Sequence, residues 1–114
     1  MANKTIDINE STIKKYVESL RPENPEIREQ VDIGYSYDGK VVLLFEIRPD
    51  WQDPTKKQQL DFAKIRYYKS RKEWNLYWMR ASGNWEIYKP FPASNYLDKI
   101  IEIIKEDKNA CFFG

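Results

Sequence analysis

Histidine is absent from the 114 residues, and that absence excludes more chemistry than any other single feature of the chain. Zinc sites with imidazole ligands, Ser-His-Asp and Cys-His nucleophile systems, and imidazole acid-base work all fall away. Cysteine is reduced to one, Cys111. A lone cysteine closes no intramolecular disulfide, which fits a reducing compartment. Without a histidine to activate it, Cys111 reads as a small buried hydrophobe rather than a nucleophile. Long apolar runs are missing too, so no membrane span is expected. Met1 to Glu10 is polar and lacks the apolar stretch of a signal peptide, so the expected compartment is the cytoplasm. Excess charge is also lacking: 19 Lys and Arg face 18 Asp and Glu, for a net charge of +1. Nucleic acid could then be held only by a local basic patch, not by a basic surface as a whole.

What the chain does have is aromatic mass. Four Trp, eight Tyr and five Phe can each bury roughly 150–250 Å², enough for the core of one domain spanning residues 1–114. Ile13, Tyr16, Val17 and Leu20 recur at helical spacing, with Asp7 or Asn9 as N-cap, and Pro22 and Pro25 as the stop. From Val31 the period becomes two. Val31–Tyr37 and Lys40–Arg48 flank Asp38-Gly39, a strong hairpin signal, and a two-residue loop would pair Tyr35 with Val42 and Ile33 with Leu44. The second strand is apolar at almost every position, which predicts cover on both faces. Residues 49–54 break away as a loop between two prolines, and 55–62 fit a helical turn or a polar loop. Residues 62–69 suit a strand, with a helix as the alternative. Trp74–Arg80 and Trp85–Tyr88 are strands about the turn at Ala81–Asn84, and Pro90 and Pro92 stop the second. Asn95–Asp107 is a second amphipathic helix capped by Ser94 or Asn95. The expected fold is therefore α+β: an antiparallel meander sheet of four to five strands with an N-terminal and a C-terminal helix packed on it. Phe112 and Phe113 near the C-terminus should dock on the core, because a free tail would leave two rings in water.

Two groups of residues could carry function. Glu46 and Arg48 share a strand face that is otherwise apolar, and Asp50 and Trp51 follow in the loop. A carboxylate and a guanidinium starting from an apolar surface must pair or reach a rim. They make either an ion-pair network tying the loop to the sheet or a site floored by Trp51. A sharper version makes Glu46 and Asp50 the acids of a metal-dependent hydrolase or nuclease. Against a nuclease core, Asp32 falls on the opposite face from Glu46, and the basic position is Arg48, which cannot lose a proton to act as a base. The second group is the basic-aromatic run Lys64, Arg66, Tyr67, Tyr68, Lys69, Arg71, Lys72, Trp74, Tyr77, Trp78 and Arg80. Interleaved cations and rings on neighbouring strands are the makeup of a stacking-plus-phosphate surface for single-stranded nucleic acid. An ordinary two-sided sheet would look the same, its charges in water with their stems along the rings.

The motifs Phe45-Glu46-Ile47-Arg48-Pro49-x-Trp51-x-x-Pro54, Ala63-Lys64-x-Arg66-Tyr67-x-Lys69-Ser70, Trp74-x-Leu76-Tyr77-Trp78-x-Arg80, Trp85-x-x-Tyr88-x-Pro90 and Cys111-Phe112-Phe113-Gly114 together resemble a family of small bacterial proteins, domain of unknown function 3024. The resemblance spans about Val31 to Gly114. It implies a bacterial, stand-alone protein and carries over no catalytic residue, since the family has no assigned activity. The leading expectation is a non-enzymatic binding or interaction module acting through Glu46, Arg48, Asp50, Trp51, Lys64, Arg66, Lys69 and Arg80. Nucleic acid is the first ligand class and a protein partner the second, a homodimer is open, and no cofactor is expected. The alternative is the metal-dependent hydrolase built on Glu46 and Asp50.

Overall fold

The computed structural model describes residues 7–112. Helix α1 (Ile8–Leu20) starts where Asp7 accepts hydrogen bonds from the backbone N–H groups of Asn9 and Glu10. It buries the stripe Ile13, Tyr16 and Val17. A short helix α2 (Pro25–Gln30) follows. Pro25, which the sequence suggested as a stop, instead opens this second helix, where proline's missing N–H costs nothing, and Asn24 caps it through Glu26 N. The strands are β1 (Asp32–Tyr37), β2 (Val41–Pro49), β3 (Lys57–Tyr68), β4 (Glu73–Met79), β5 (Trp85–Ile87) and the two-residue β6 (Ala93–Ser94). Helix α3 (Leu97–Glu106) ends on Asp107 in the left-handed region, φ 43°.

All strands belong to one antiparallel sheet in the meander order β1-β2-β3-β4-β5, with β6 next to β5 on the edge of β4 that faces away from β3. The α+β fold is thus as expected, with differences in detail. The hairpin register is displaced by two residues: Tyr35 faces Leu44 and Ile33 faces Glu46. Asp38 accounts for this, because its carboxylate accepts from the N–H groups of Lys40 and Val41 and holds a longer loop. Since the displacement is even, every side chain keeps its predicted face. Residues 57–62, expected as turn or loop, are the first half of the 12-residue β3. The cap of α3 is Tyr96, without a side-chain hydrogen bond; Asn95 instead donates to the Lys72 carbonyl at 2.8 Å.

Helices α1 and α3 lie against one face of the sheet and touch each other. Between them and the strands sits the core: Val42, Leu44, Ala63, Ile65, Trp74 and Leu76 from the sheet, Ile13 and Val17 from α1, and Ile100 and Ile104 from α3. Phe112 joins it, its ring centroid 5.1 Å from that of Tyr88. Phe113 and Gly114 lie outside the described residues. A bulge sits between Leu44 and Phe45 of β2, where Ala63 faces Leu44 but Asp61 faces Phe45. Phe62 is the extra residue, so it and Ala63 both turn into the core, and the alternation of β3 changes phase.

Neither α1 nor α3 covers the opposite face; among the described residues only α2 reaches its rim, where Lys57, opposite Pro49, donates to the Glu29 carbonyl at 3.0 Å. The molecule measures 44 × 44 × 21 Å, the thickness of one sheet plus one helix layer. Strand β2 is therefore covered on one face only, contrary to the expectation from its apolar run. Its outward residues Val41, Leu43 and Ile47 are half-buried, and Phe45 is buried outside the main core. Phe45 stays dry because Gly34, its cross-strand partner, leaves room for the ring: a Cβ there would lie 2.6 Å from Phe45 Cε1.

Gly34→Ala should accordingly lower stability by about 1–3 kcal/mol in urea unfolding, because the ring must give way. A second prediction concerns Arg21, which ties the end of α1 to β1 by donating from Nε and Nη2 to the two Asp32 oxygens at 2.9 and 2.8 Å. These bonds hold the Asp32 carboxyl below its ordinary range. A lowered carboxyl pKa stabilises the fold above the unfolded value, about 3.9, and that stability is lost as pH falls through the folded value. Asp32→Asn should therefore make the loss of melting temperature below about pH 4 shallower than in the parent chain.

Candidate functional site

On the helix-free face the register aligns side chains in rows across the strands. Ser36, Leu43, Lys64, Tyr77 and Ile87 form one row. Val41, Arg66, Asn75 and Ala93 form the next, and Tyr68 with Glu73 a third. The phase change at Phe62 puts Lys64 and Arg66 outward while Ala63 and Ile65 point to the core.

Rings and cations interlock here. Lys64 Nζ stands 5.1 Å from the centre of the Tyr77 ring. Arg66 and Arg71 both lie over Tyr68, their Cζ atoms 4.9 and 4.3 Å from its centre. Tyr68 and Tyr77 start one row to either side of Arg66 and Asn75, and their hydroxyls meet at 3.0 Å. The two rings therefore lie along the sheet rather than standing off it. Burial first, and the Tyr68 hydroxyl second, push the Tyr77 phenol above its ordinary pKa. The Asn75 Oδ1 is sealed from solvent in this row, with no hydrogen-bond donor among the described residues.

Lys64 and Arg66 differ from most arginines of the chain in their partners. Arg21, Arg48, Arg71 and Arg80 each hold a carboxylate at 2.7–3.3 Å. Among the described residues neither Lys64 nor Arg66 has one within 4.0 Å. Each is held by an aromatic ring, which leaves the positive charge uncancelled.

The other predicted residues lie elsewhere. Arg48 Nε donates to Glu46 Oε2 at 2.7 Å, on the helix-side face near the far end of β2. Asp50 accepts from Gln52 N at 2.8 Å, and Asp53 from Thr55 N and Oγ1. Both carboxylates thus shape their own loop. Trp51 is 83% exposed. Arg80 follows β4 and pairs with Glu86 at 3.3 Å. Lys69 sits in the turn after β3, at the end of the strand that carries Arg66 and Tyr68 and opposite the end near Arg48, Asp50 and Trp51. Among the described residues no three of His, Cys, Asp and Glu gather as a metal site. No helix among them is long and apolar enough to cross a membrane.

A cleft of about 290 Å³ lies beside β5, lined by Trp78, Ile87, Tyr88, Lys89, Asn109 and Cys111. Burial, then Asp107 and Glu86, raise the Cys111 thiol, so it is a poor nucleophile. Arg71 belongs to the basic-aromatic run, but its place over the Tyr68 ring was not legible in the sequence, and neither was the position of Asn75 between the two tyrosines. Period-two counting places Asn75 on the same face as Tyr77, but the pairing with Arg66 needed the register.

A family model described as Domain of unknown function (DUF3024) matches residues 1–114. The chain belongs to that family. The match covers all five motifs that carried the resemblance. No curated protein and no solved structure matches this DUF3024 chain.

The hydroxyl contact on the open face is testable. Tyr77→Phe and Tyr68→Phe should each cost about 0.5–1.5 kcal/mol in chemical denaturation, and the double variant no more than either alone. Additive losses would mean that the two hydroxyls do not act together.

Proposed function

We propose that this DUF3024 protein is a non-enzymatic binding module that takes single-stranded nucleic acid on the helix-free face of its sheet. The observation that carries this reading is the pair Lys64 and Arg66, two cations set among half-buried aromatic and aliphatic side chains with no carboxylate among the described residues within ion-pair distance. A phosphate chain supplies the missing counter-charge, and bases supply flat apolar surface for Tyr77, Tyr68 and their neighbours. Because each ring already carries a cation, a base stacks by displacing that cation towards the backbone it must neutralise. Net charge near zero makes such binding local and moderate in strength rather than a coating of the whole surface.

The metal-dependent hydrolase reading rests on Glu46 and Asp50, and both carboxylates already have other duties. Glu46 would have to release Arg48, and Asp50 its loop amide, before either could hold a cation. A protein partner is the remaining ligand class for the same face.

Fluorescence anisotropy with labelled single-stranded DNA and RNA across a salt series decides between them. Affinity should fall with salt, log K against log salt having a slope of about −0.7 per phosphate contacted. Lys64→Ala and Arg66→Ala should each weaken binding and flatten that slope by about 0.7. No binding at low salt overturns the reading and leaves the face to a protein partner.

A further inference from the structure

We infer that a bound strand runs along β3 and leaves over the turn at residues 69–72, covering about four nucleotides, and does not extend to the Arg48–Trp51 loop. This rests on the nucleic-acid reading above and gives it a path, a length and an end.

The two ends of β3 differ in charge. At the turn end, Lys40, Lys69 and Lys72 have no carboxylate within ion-pair distance among the described residues. Lys40 belongs to this end because its carbonyl accepts from Tyr67 N at 2.7 Å. Arg71 adds a charge shared between the Tyr68 ring and Glu73. At the other end stand Asp61, Asp50 and Asp53, while Arg48 is held by Glu46 on the helix-side face and Lys57 by Glu29 of α2. This leaves Lys56 as the one cation there without an ion pair among the described residues. Asp61 faces outward next after Lys64 along the strand, so it marks where a phosphate chain would meet repulsion.

Spacing supports the same path. Outward residues on one strand recur every two positions, about 6.5–7 Å apart, on the scale of successive phosphates along an extended single strand. Lys64, Arg66 and the Tyr68–Arg71 stack supply three steps, and Lys69 with Lys72 a fourth. The turn is also fixed in place. Lys72 takes the left-handed conformation, φ 50°, and its carbonyl accepts from Asn95 Nδ2 at 2.8 Å. Its cations are thus presented from a held backbone rather than from a loose tip.

Anisotropy with oligothymidylates from two to ten nucleotides tests this on the full chain, with melting temperatures confirming that each variant is folded. Affinity should climb steeply up to about four nucleotides and only slowly after that. The double variant Lys69→Ala with Lys72→Ala should bind roughly tenfold more weakly and flatten the salt slope by about 1.4. Arg48→Ala and Trp51→Ala should change neither. Binding that weakens on Arg48→Ala or Trp51→Ala, or that keeps climbing steeply to ten nucleotides, overturns the path and leaves the nucleic-acid reading standing. No binding by the parent chain overturns both.

Discussion

Two helices against one side of a sheet is the constraint from which the rest of this structure follows. Ile13 and Val17 of α1 and Ile100 and Ile104 of α3 meet Val42, Leu44, Ile65 and Leu76, and this layer removes the largest continuous apolar surface from water. Helices of 13 and 10 residues shade only one side of the sheet, so the other must keep itself in order. It does so with side chains alone. The Phe45 ring lies across Gly34, Tyr68 meets Tyr77, and the stems and charged heads of Lys64, Arg66 and Arg71 settle on the tyrosines. The face is apolar enough to hold its shape and charged enough to stay wetted.

Much of the fold was legible because local signals agreed with the final packing. The stripe of α1, the alternation of Trp74, Leu76 and Trp78, and the Asp38-Gly39 turn each pointed to the element that forms. The errors have physical causes. Residues 57–61 are polar apart from Leu60 and exposed apart from the half-buried Asp61, so little in their composition marks a strand; they are ordered by pairing with β2. Pro22 and Pro25 look alike as helix stops, but Pro25 follows the cap residue Asn24, and that context turns a stop into a start. The apolar run of β2 suggested burial on both sides, yet half of it serves the helix-free face.

The candidate site was legible in composition but not in assembly. Eight residues were singled out, and only Lys64 and Arg66, with Lys69 at the neighbouring turn, come together. Charge and aromaticity can be counted along a chain, whereas a partner for each charge is decided across strands. Arg48 and Arg80 find carboxylates on their own face, and so resemble Arg66 in sequence but not in electrostatics. The surroundings of Asn75 were illegible for the same reason, since its neighbours Arg66 and Ala93 come from two other strands.

The bulge at Phe62 sets how this chain can vary. Before it, odd-numbered residues of β3 face outward; after it, even-numbered ones do. One extra residue is thus what lets a single strand carry Asp61 and Lys64 on the same side. A loss of one residue anywhere from 57 to 68 would restore simple alternation, and one half of the strand would present its wrong side. Changes of length are therefore far more costly in β3 than changes of residue type. Related chains should diverge here by substitution, with insertions and deletions confined to the loop at 50–56 and the turns.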